Sequence, residues 1–413
     1  MTTLRHPPDP PDSSRPVPPL SGLTVLDLTH YRAGPSCTKF FSDYGADVVK
    51  IERPGTGDPL RAIGPFAGGT PGPDRSIPFL WLNTGKRSVT LNLKHAEAIG
   101  LLTPLIQRAD IVVENFSPGV MARAGLDFHT LRTINPRITL VSISNFGQTG
   151  PYRDYRATEA VLYAMSGGMI ATGDRDRPPL AAGPTIAQYT AGMHAYLGAL
   201  MALHRRESTG KGDWIDVSIQ ESALDNVEIH LAEYLHLGKI ARRNNDEHAM
   251  VPWQCYPCRD GHAAVIGGPI RRWLTAAPMF GVPQLLEEQY RHLAGRQRHR
   301  FDFEALLKPA LAQTDKMEVY RQGQASGLAF GYLASLAEAF QSSQHRSRHF
   351  FQPVDAGSAI GRTEMAGAPF RFTERPAPPV RAPRLGEHTH TILAESSGCT
   401  ERDLARLSKD GAI

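Results

Sequence analysis

The sequence predicts an α/β protein built on a mostly parallel sheet wrapped by helices. Short apolar runs rich in β-branched residues recur from Leu23 to Ile219, and helix-length segments separate them. Length adds a second expectation. A chain of 413 residues is long for one core, so a smaller α/β domain should accompany the large one.

The elements follow in order. Leu23 to Leu28 reads as a first strand, broken by Ala33-Gly34-Pro35. Ser36 to Tyr44 puts Cys37, Phe40, Phe41 and Tyr44 on one helical face, and Ala46 to Ile51 is a second strand. Strands are expected at 88–93, 111–113 and 138–144, with helices at 96–108 and 126–134. Thr158 to Met169 is helix-like. Ile186 to Arg206 is a long apolar segment whose small residues, among them Ala191, Gly192 and Ala195, let another backbone come close. Its end, His204-Arg205-Arg206, suits a helix C-terminus. Trp214 to Ile219 is a strand and Glu221 to Leu237 a helix. The polar stretch around Arg242-Arg243-Asn244-Asn245-Asp246 reads as a domain junction. Short strands and helices alternate again from Cys255 to Pro353, and Glu374 to Pro383 is extended and proline-rich. The expected boundaries are an arm over 1–20, a large domain over 21–238, a small domain over 239–353 and a C-terminal segment over 354–413.

Composition narrows the function classes. Apolar content of 41% and charged content of 21% are those of a globular protein, and a net charge of +4 makes no case for nucleic acid. No apolar run reaches the roughly 18 residues of a membrane span. The N-terminal 20 residues are proline-rich without an apolar h-region, so they read as a disordered arm rather than a signal peptide. Four scattered cysteines point to a reducing compartment, and a cytoplasmic location is expected. Cys255-Tyr256-Pro257-Cys258 is a lone C-x-x-C flanked by His248 and His262. It lacks the second ligand pair a zinc site normally needs, so no metal is expected. Ser166 has no nucleophile-elbow pattern around it.

Several local motifs stand in a fixed order. They are Leu26-Asp27-Leu28-Thr29-His30 with Ala33-Gly34-Pro35, then Val49 to Asp58 (Val-Lys-Ile-Glu-Arg-Pro-Gly-Thr-Gly-Asp) and Asn83-Thr84-Gly85-Lys86-Arg87-Ser88. Val113-Glu114-Asn115-Phe116-Ser117-Pro118-Gly119, Ser208-Thr209-Gly210-Lys211-Gly212 and Ala382-Pro383-Arg384-Leu385-Gly386-Glu387-His388-Thr389 follow, with Gly183 to Gly192 among them. In this order and spacing the chain resembles the family III CoA-transferases (CaiB/BaiF, formyl-CoA transferase-like) from about Leu20 to Leu393.

The resemblance implies a Rossmann-like large domain, a smaller domain, a C-terminal segment that returns to the large one, and two chains interlocked as a dimer. It implies CoA and acyl-CoA as substrates, with no permanently bound cofactor, and a carboxylic acid as acceptor. By resemblance Arg53, Asn83, Lys86, Asn115, Phe116 and Arg123 match CoA-contacting positions, with Phe116 against the adenine; Arg87 adds a cation beside them. His30 and Arg32 match the mouth of the active site, where Arg32 would suit a carboxylate substrate.

One departure bears on chemistry. Gln188 occupies the position, four residues before Gly192, where the family carries its nucleophilic Asp. A carboxylate attacks a thioester to form an acyl anhydride, and a neutral amide does not. Glu159, which matches an active-site position, is the best substitute; Asp174 and Asp176 are also near in sequence. The racemase branch of the family pairs a His with the same Asp, and this chain has Thr158 and Gln188 there. Three readings stand: a transferase with a replacement carboxylate, a non-catalytic subunit paired with an Asp-bearing homologue, and a different acyl-CoA reaction such as a lyase or hydratase step.

Overall fold

Six parallel strands form the central sheet in the order β3-β2-β1-β4-β5-β6, which is the Rossmann order. They are β1 (Thr24–Asp27), β2 (Asp47–Glu52), β3 (Arg87–Thr90), β4 (Ile111–Glu114), β5 (Thr139–Ser144) and β6 (Trp214–Ser218). The computed structural model describes residues 17–243, 250–268, 270–357, 360–372 and 379–413. Most of the expected proline-rich arm, Asn244 to Asp246 of the junction and 374–378 of the extended tail lie outside the described residues.

Helices connect the strands: α1 (Ala33–Asp43), α2 (Ile77–Leu82), α3 (Ala98–Arg108), α4 (Val120–Arg123), α5 (Phe128–Ile134), α6 (Glu159–Met165), α7 (Ile186–Thr209), α8 (Ile219–Asp225) and α9 (Glu228–Leu237). Each face of the sheet has its own core. Leu26, Val49, Leu102 and Leu140 pack together on one side with Leu404 and Leu407 from a helix over Glu401–Lys409. Val25, Phe41, Val141, Ala191 and Ala195 pack on the other. The expected third strand stops at Thr90, because its ladder partner β2 ends at Glu52, whose carbonyl accepts the Leu91 N–H; the Asn92 N–H faces the open edge of the sheet and donates to the carbonyl of Ala412. The segment expected as one helix from Glu221 to Leu237 is two, α8 and α9. It breaks at Asn226, whose side-chain amide donates to the Thr190 hydroxyl (3.1 Å).

The chain forms two compact units. One comprises 17–172, 180–241 and 347–413, and the other 173–179 and 242–346. The second has its own core around Trp273, Tyr256, Phe303 and Phe330, beneath a three-stranded sheet of Trp253–Cys258, Gly261–Ile266 and Gly331–Tyr332. Cys255 and Cys258 lie three residues apart on one strand and so point to opposite faces. Of the two flanking histidines, His248 is outside the described residues. Among the described residues no helix is long and apolar enough to cross a membrane, and no group of three or more side chains could hold a metal ion.

Charges at the C-terminal ends of β1 and β2 organise the large unit. Asp27 and Lys50 are register partners across the two strands, both fully buried. Asp27 Oδ2 accepts from Lys86 Nζ (2.9 Å) and from the Thr38 hydroxyl (2.7 Å), and Lys50 Nζ pairs with Asp58 Oδ2 at 3.1 Å. Glu52, next along, takes a two-pronged contact from Arg61, with Nε and Nη2 each 2.7 Å from a carboxylate oxygen. The Arg61 guanidinium lies over the Phe79 ring, and its Nη2 also donates to the carbonyl of Pro383 (3.3 Å), tying in the C-terminal segment. Gly57, at φ 68°, must be glycine there: a Cβ would fall 2.8 Å from Glu52 Oε2.

Arg61→Ala should therefore cost about 3–5 kcal/mol of stability, because it leaves the Glu52 carboxylate buried without its cation. Urea unfolding measures it, and a loss below about 1 kcal/mol, the range of an exposed pair, would contradict this account.

Candidate functional site

The sheet reverses its strand order between β1 and β4, and open α/β sheets bind ligands outside the strand C-termini at such a point. The loop after β1 is held there residue by residue. The Thr29 N–H and hydroxyl donate to Asp27 Oδ1 (2.9 and 2.5 Å), and Lys50 Nζ donates to the Thr29 carbonyl (2.6 Å). The His30 N–H donates to Asn115 Oδ1 (2.7 Å), whose Nδ2 donates back to the His30 carbonyl (2.8 Å). The Tyr31 N–H donates to Asp58 Oδ1 (3.1 Å). Tyr31 is thereby kept at φ 62°, a left-handed conformation that costs a non-glycine residue on the order of 1–3 kcal/mol.

A cleft of about 820 Å³ opens beside this loop. His30, Arg53, Phe116 and Arg123 line it, together with Lys94 and His95. The His30 and Phe116 rings meet edge to face at 5.2 Å. Burial, reinforced by the Lys50 charge, holds the imidazole below its ordinary pKa against the opposing pull of Asp58, Asp27 and Glu52, so His30 is neutral at pH 7. Arg53, Lys94 and Arg123 are exposed, and their cationic groups make no hydrogen bond or ion pair with another described residue. The rest of the wall is mostly apolar, from Ile51, Leu91, Ile99 and Met121, with Glu52 and Asn92 also lining it.

Asn83, Lys86 and Arg87, expected around the same ligand, do not line the cleft. Lys86 is fully buried, and its ammonium donates to Asp27, Thr38, Asn83 Oδ1 (2.8 Å) and the Pro35 carbonyl (3.2 Å). Burial, outweighing the attraction of Asp27, pushes its pKa down to about 8. Asn83 is buried with it and donates to the Phe79 carbonyl. Arg87 is paired with Asp47 at the start of β2. Asn115 stands behind the cleft as the clamp on His30. Asp174 and Asp176 fall in the second unit.

Sequence reasoning missed Lys94 and His95. The signal was their place just after β3, beside the strand end that carries Arg53. It also missed the character of Glu114, the last residue of β4. Burial pushes its carboxyl up to about 7 and the Asp216 charge adds to this, while the Ser142 hydroxyl and the Phe116 N–H (2.8 Å to Oε2) oppose it.

The first turn of α7 supplies the other half of the site. Gly192 rests on the start of α1, where a Cβ would lie 2.7 Å from the Ala33 carbonyl oxygen. Gln188 is four residues earlier on the same face. The Glu159 carboxylate, from the start of α6, accepts from the Ala187 N–H (2.8 Å) and the Gln188 N–H (3.2 Å), and so closes the N-terminus of this 24-residue helix. The residue before the helix, Thr185, sits at φ 144°. Arg32 lies close enough to Tyr189 for its charge to act on the phenol, which burial otherwise pushes above its ordinary pKa. Gln188 is half-buried, and its side-chain amide makes no hydrogen bond to another described residue.

The fold and site are those of a Rossmann-type α/β protein with a cation-rimmed cleft at the reversal point of its sheet. Residues 20–389 match the model of CoA-transferase family III. The formyl-CoA:oxalate CoA-transferase of Streptomyces avermitilis is 33% identical, over 95% of this chain and 99% of its own. The acetyl-CoA:oxalate CoA-transferase of Acetobacter aceti is 33% identical, over 92% and 97%. A CAIB/BAIF family protein from Brucella suis superposes with a TM-score of 0.83 at 29% identity, over 92% of this chain and 100% of that one. The chain belongs to CoA-transferase family III.

The elevated Glu114 carboxyl has a measurable consequence. Folded, it keeps its proton to about pH 7; unfolded, only to about the ordinary glutamate value of 4.5. Between these values the folded state binds the extra proton, so stability falls as pH rises from about 4.5 to 7. Glu114→Gln should remove that fall and leave the protein more stable than wild type at pH 8, by on the order of 3 kcal/mol. Urea unfolding at pH 5 and pH 8 checks it; an unchanged difference between the two pH values would refute it.

Proposed function

We propose that this chain binds CoA and its acyl thioesters in the cleft and serves CoA transfer between carboxylic acids, with the covalent anhydride route closed at Gln188. The observation that carries the binding part is the trio of unpaired cations, Arg53, Lys94 and Arg123, around a largely apolar cleft. Three cations held apart with no acceptors suit the separated phosphates of CoA, and Phe116 offers an aromatic face for the adenine. Arg32, beside Tyr189 at the mouth, would take the carboxylate of an anionic acid.

The start of α7 bears on how the transfer proceeds. Both Glu159 oxygens accept backbone N–H groups, so Glu159 would have to release the helix terminus before attacking a thioester. That favours a subunit that pairs with an Asp-bearing homologue over a self-sufficient transferase. An exposed apolar stripe supports an interlocked partner: Met193, Leu197 and Met201 recur every four residues along α7, and Ile229 and Leu237 stand out from α9. The partner is a second copy or the homologue.

Two measurements test this reading. Calorimetric titration with CoA should give binding that Arg53→Ala and Arg123→Ala each weaken about 10- to 100-fold, the worth of one charge-assisted hydrogen bond. Unchanged affinity in both variants would remove the cleft as the CoA site. Sedimentation of the pure chain should show a dimer or, in the subunit reading, a heterodimer after mixing with an Asp-bearing homologue and transferase activity only in the mixture. A monomer in both cases would sink the interlocked assembly.

A further inference from the structure

The amide of Gln188 is unpartnered and open to solvent, and so is available to a ligand: the residue is half-buried, and neither amide atom is among the buried polar atoms without a partner. Here the helix terminus is already closed by Glu159, through the N–H groups of Ala187 and Gln188. The Gln188 side chain is therefore not needed as a cap, and its amide makes no hydrogen bond to another described residue.

Its direction follows from the helix. Side chains four residues apart share a face and lean toward the helix N-terminus. Gly192, on that face, is in contact with Ala33 at the start of α1. One turn earlier, Gln188 is placed toward the residues that precede α1, which are Arg32, Tyr31 and His30. These are the residues that the buried charges fix in place, and His30 lines the cleft. Gln188 thus faces the loop whose His30 lines the cleft, within reach of the thioester of an acyl-CoA whose CoA moiety the cleft would hold.

An Asp there has acceptors only, and it acts on the carbonyl carbon. A Gln has two N–H donors of similar reach, and these suit the carbonyl oxygen. From this we infer that Gln188 donates a hydrogen bond to the thioester carbonyl oxygen of bound acyl-CoA, so that the site discriminates acyl-CoA from free CoA without forming a covalent bond. The inference rests on the CoA-binding reading of the cleft and deepens it. Donors fixed at a carbonyl oxygen also favour the negative charge that develops there when the thioester reacts.

The test uses the full-length protein with two probes, CoA and acetyl-CoA carrying ¹³C at the carbonyl. Calorimetry should show acetyl-CoA binding about five- to tenfold more tightly than CoA, the worth of one neutral hydrogen bond. Difference infrared spectroscopy should show the labelled carbonyl band shifted to lower frequency on binding. Gln188→Ala should erase both effects and leave CoA affinity unchanged. Gln188→Glu, of equal length but without the donor, should bind acetyl-CoA more weakly than the wild type does and also show no downward shift. CoA affinity serves as the control for folding. If the wild type binds CoA but gives no carbonyl shift, or if the shift survives in Gln188→Ala, this inference fails while the cleft assignment stands. If the wild type binds neither probe, both fail.

Discussion

Asp27 and Lys50 sit opposite one another on β1 and β2, fully buried, and their contacts radiate into the loop beside the cleft and the start of α1. Asp27 fixes Thr29 and draws in Lys86, which in turn anchors Asn83 and the first turns of α1. Lys50 holds the Thr29 carbonyl and pairs with Asp58, which holds Tyr31 and caps the turn that presents Arg61. Removing two such charges from water is costly, and the pair does not by itself make the protein more stable than an apolar replacement would. What the network adds is position. Three consecutive residues, Thr29 to Tyr31, have backbone groups tied to charged or amide side chains, so the loop beside the cleft has little freedom to relax when a ligand arrives. The left-handed Tyr31 is tolerated because its surroundings over-determine it.

The same arrangement separates two kinds of cation. Lys50, Lys86 and Arg61 are saturated by internal acceptors. Arg53, Lys94 and Arg123 are left unsatisfied at the rim. The buried set shapes the scaffold, and its carboxylate partners are matched within it, so the rim cations keep their attraction for an anionic ligand. Lys50 also biases His30 toward its neutral form, in which one ring nitrogen can accept and the other donate at the cleft wall.

Much of the fold was legible in the sequence because it rests on local pattern. The alternation of β-branched runs and amphipathic segments marks all six parallel strands to within a few residues, and Gly57 and Gly192 stand in recognisable motifs. The site was legible only in part. Arg53, His30 and Phe116 end up at the cleft because each follows a strand end, and Arg123 because it ends the short helix α4 that comes after β4. Lys86 carries the same residue type and a motif as strong, yet its partner Asp27 lies 59 residues away, and nothing local announces that the ammonium turns inward. Lys94 escaped notice because it lies just past the strand expected over 88–93 and outside every motif. The split between α8 and α9 has a tertiary origin, a single side-chain bond from Asn226 to α7.

The start of α7 shows what exchanging one functional group does to a retained framework. In this chain the Glu159 carboxylate remains bound to the helix terminus, Gly192 still lets α7 rest on α1, and the loop to Arg32 is still pinned. The geometry that would aim a carboxylate is therefore intact with an amide at its focus. The exchange removes a negative charge from a site next to Glu159, which lowers the repulsion between α7's first turn and an anionic acid or thioester oxygen approaching it. It also removes the only route to an acyl anhydride that this turn could supply without undoing its own cap. On the reading proposed above, a site so altered trades bond-making for recognition, and a covalent step would need a carboxylate from a partner chain.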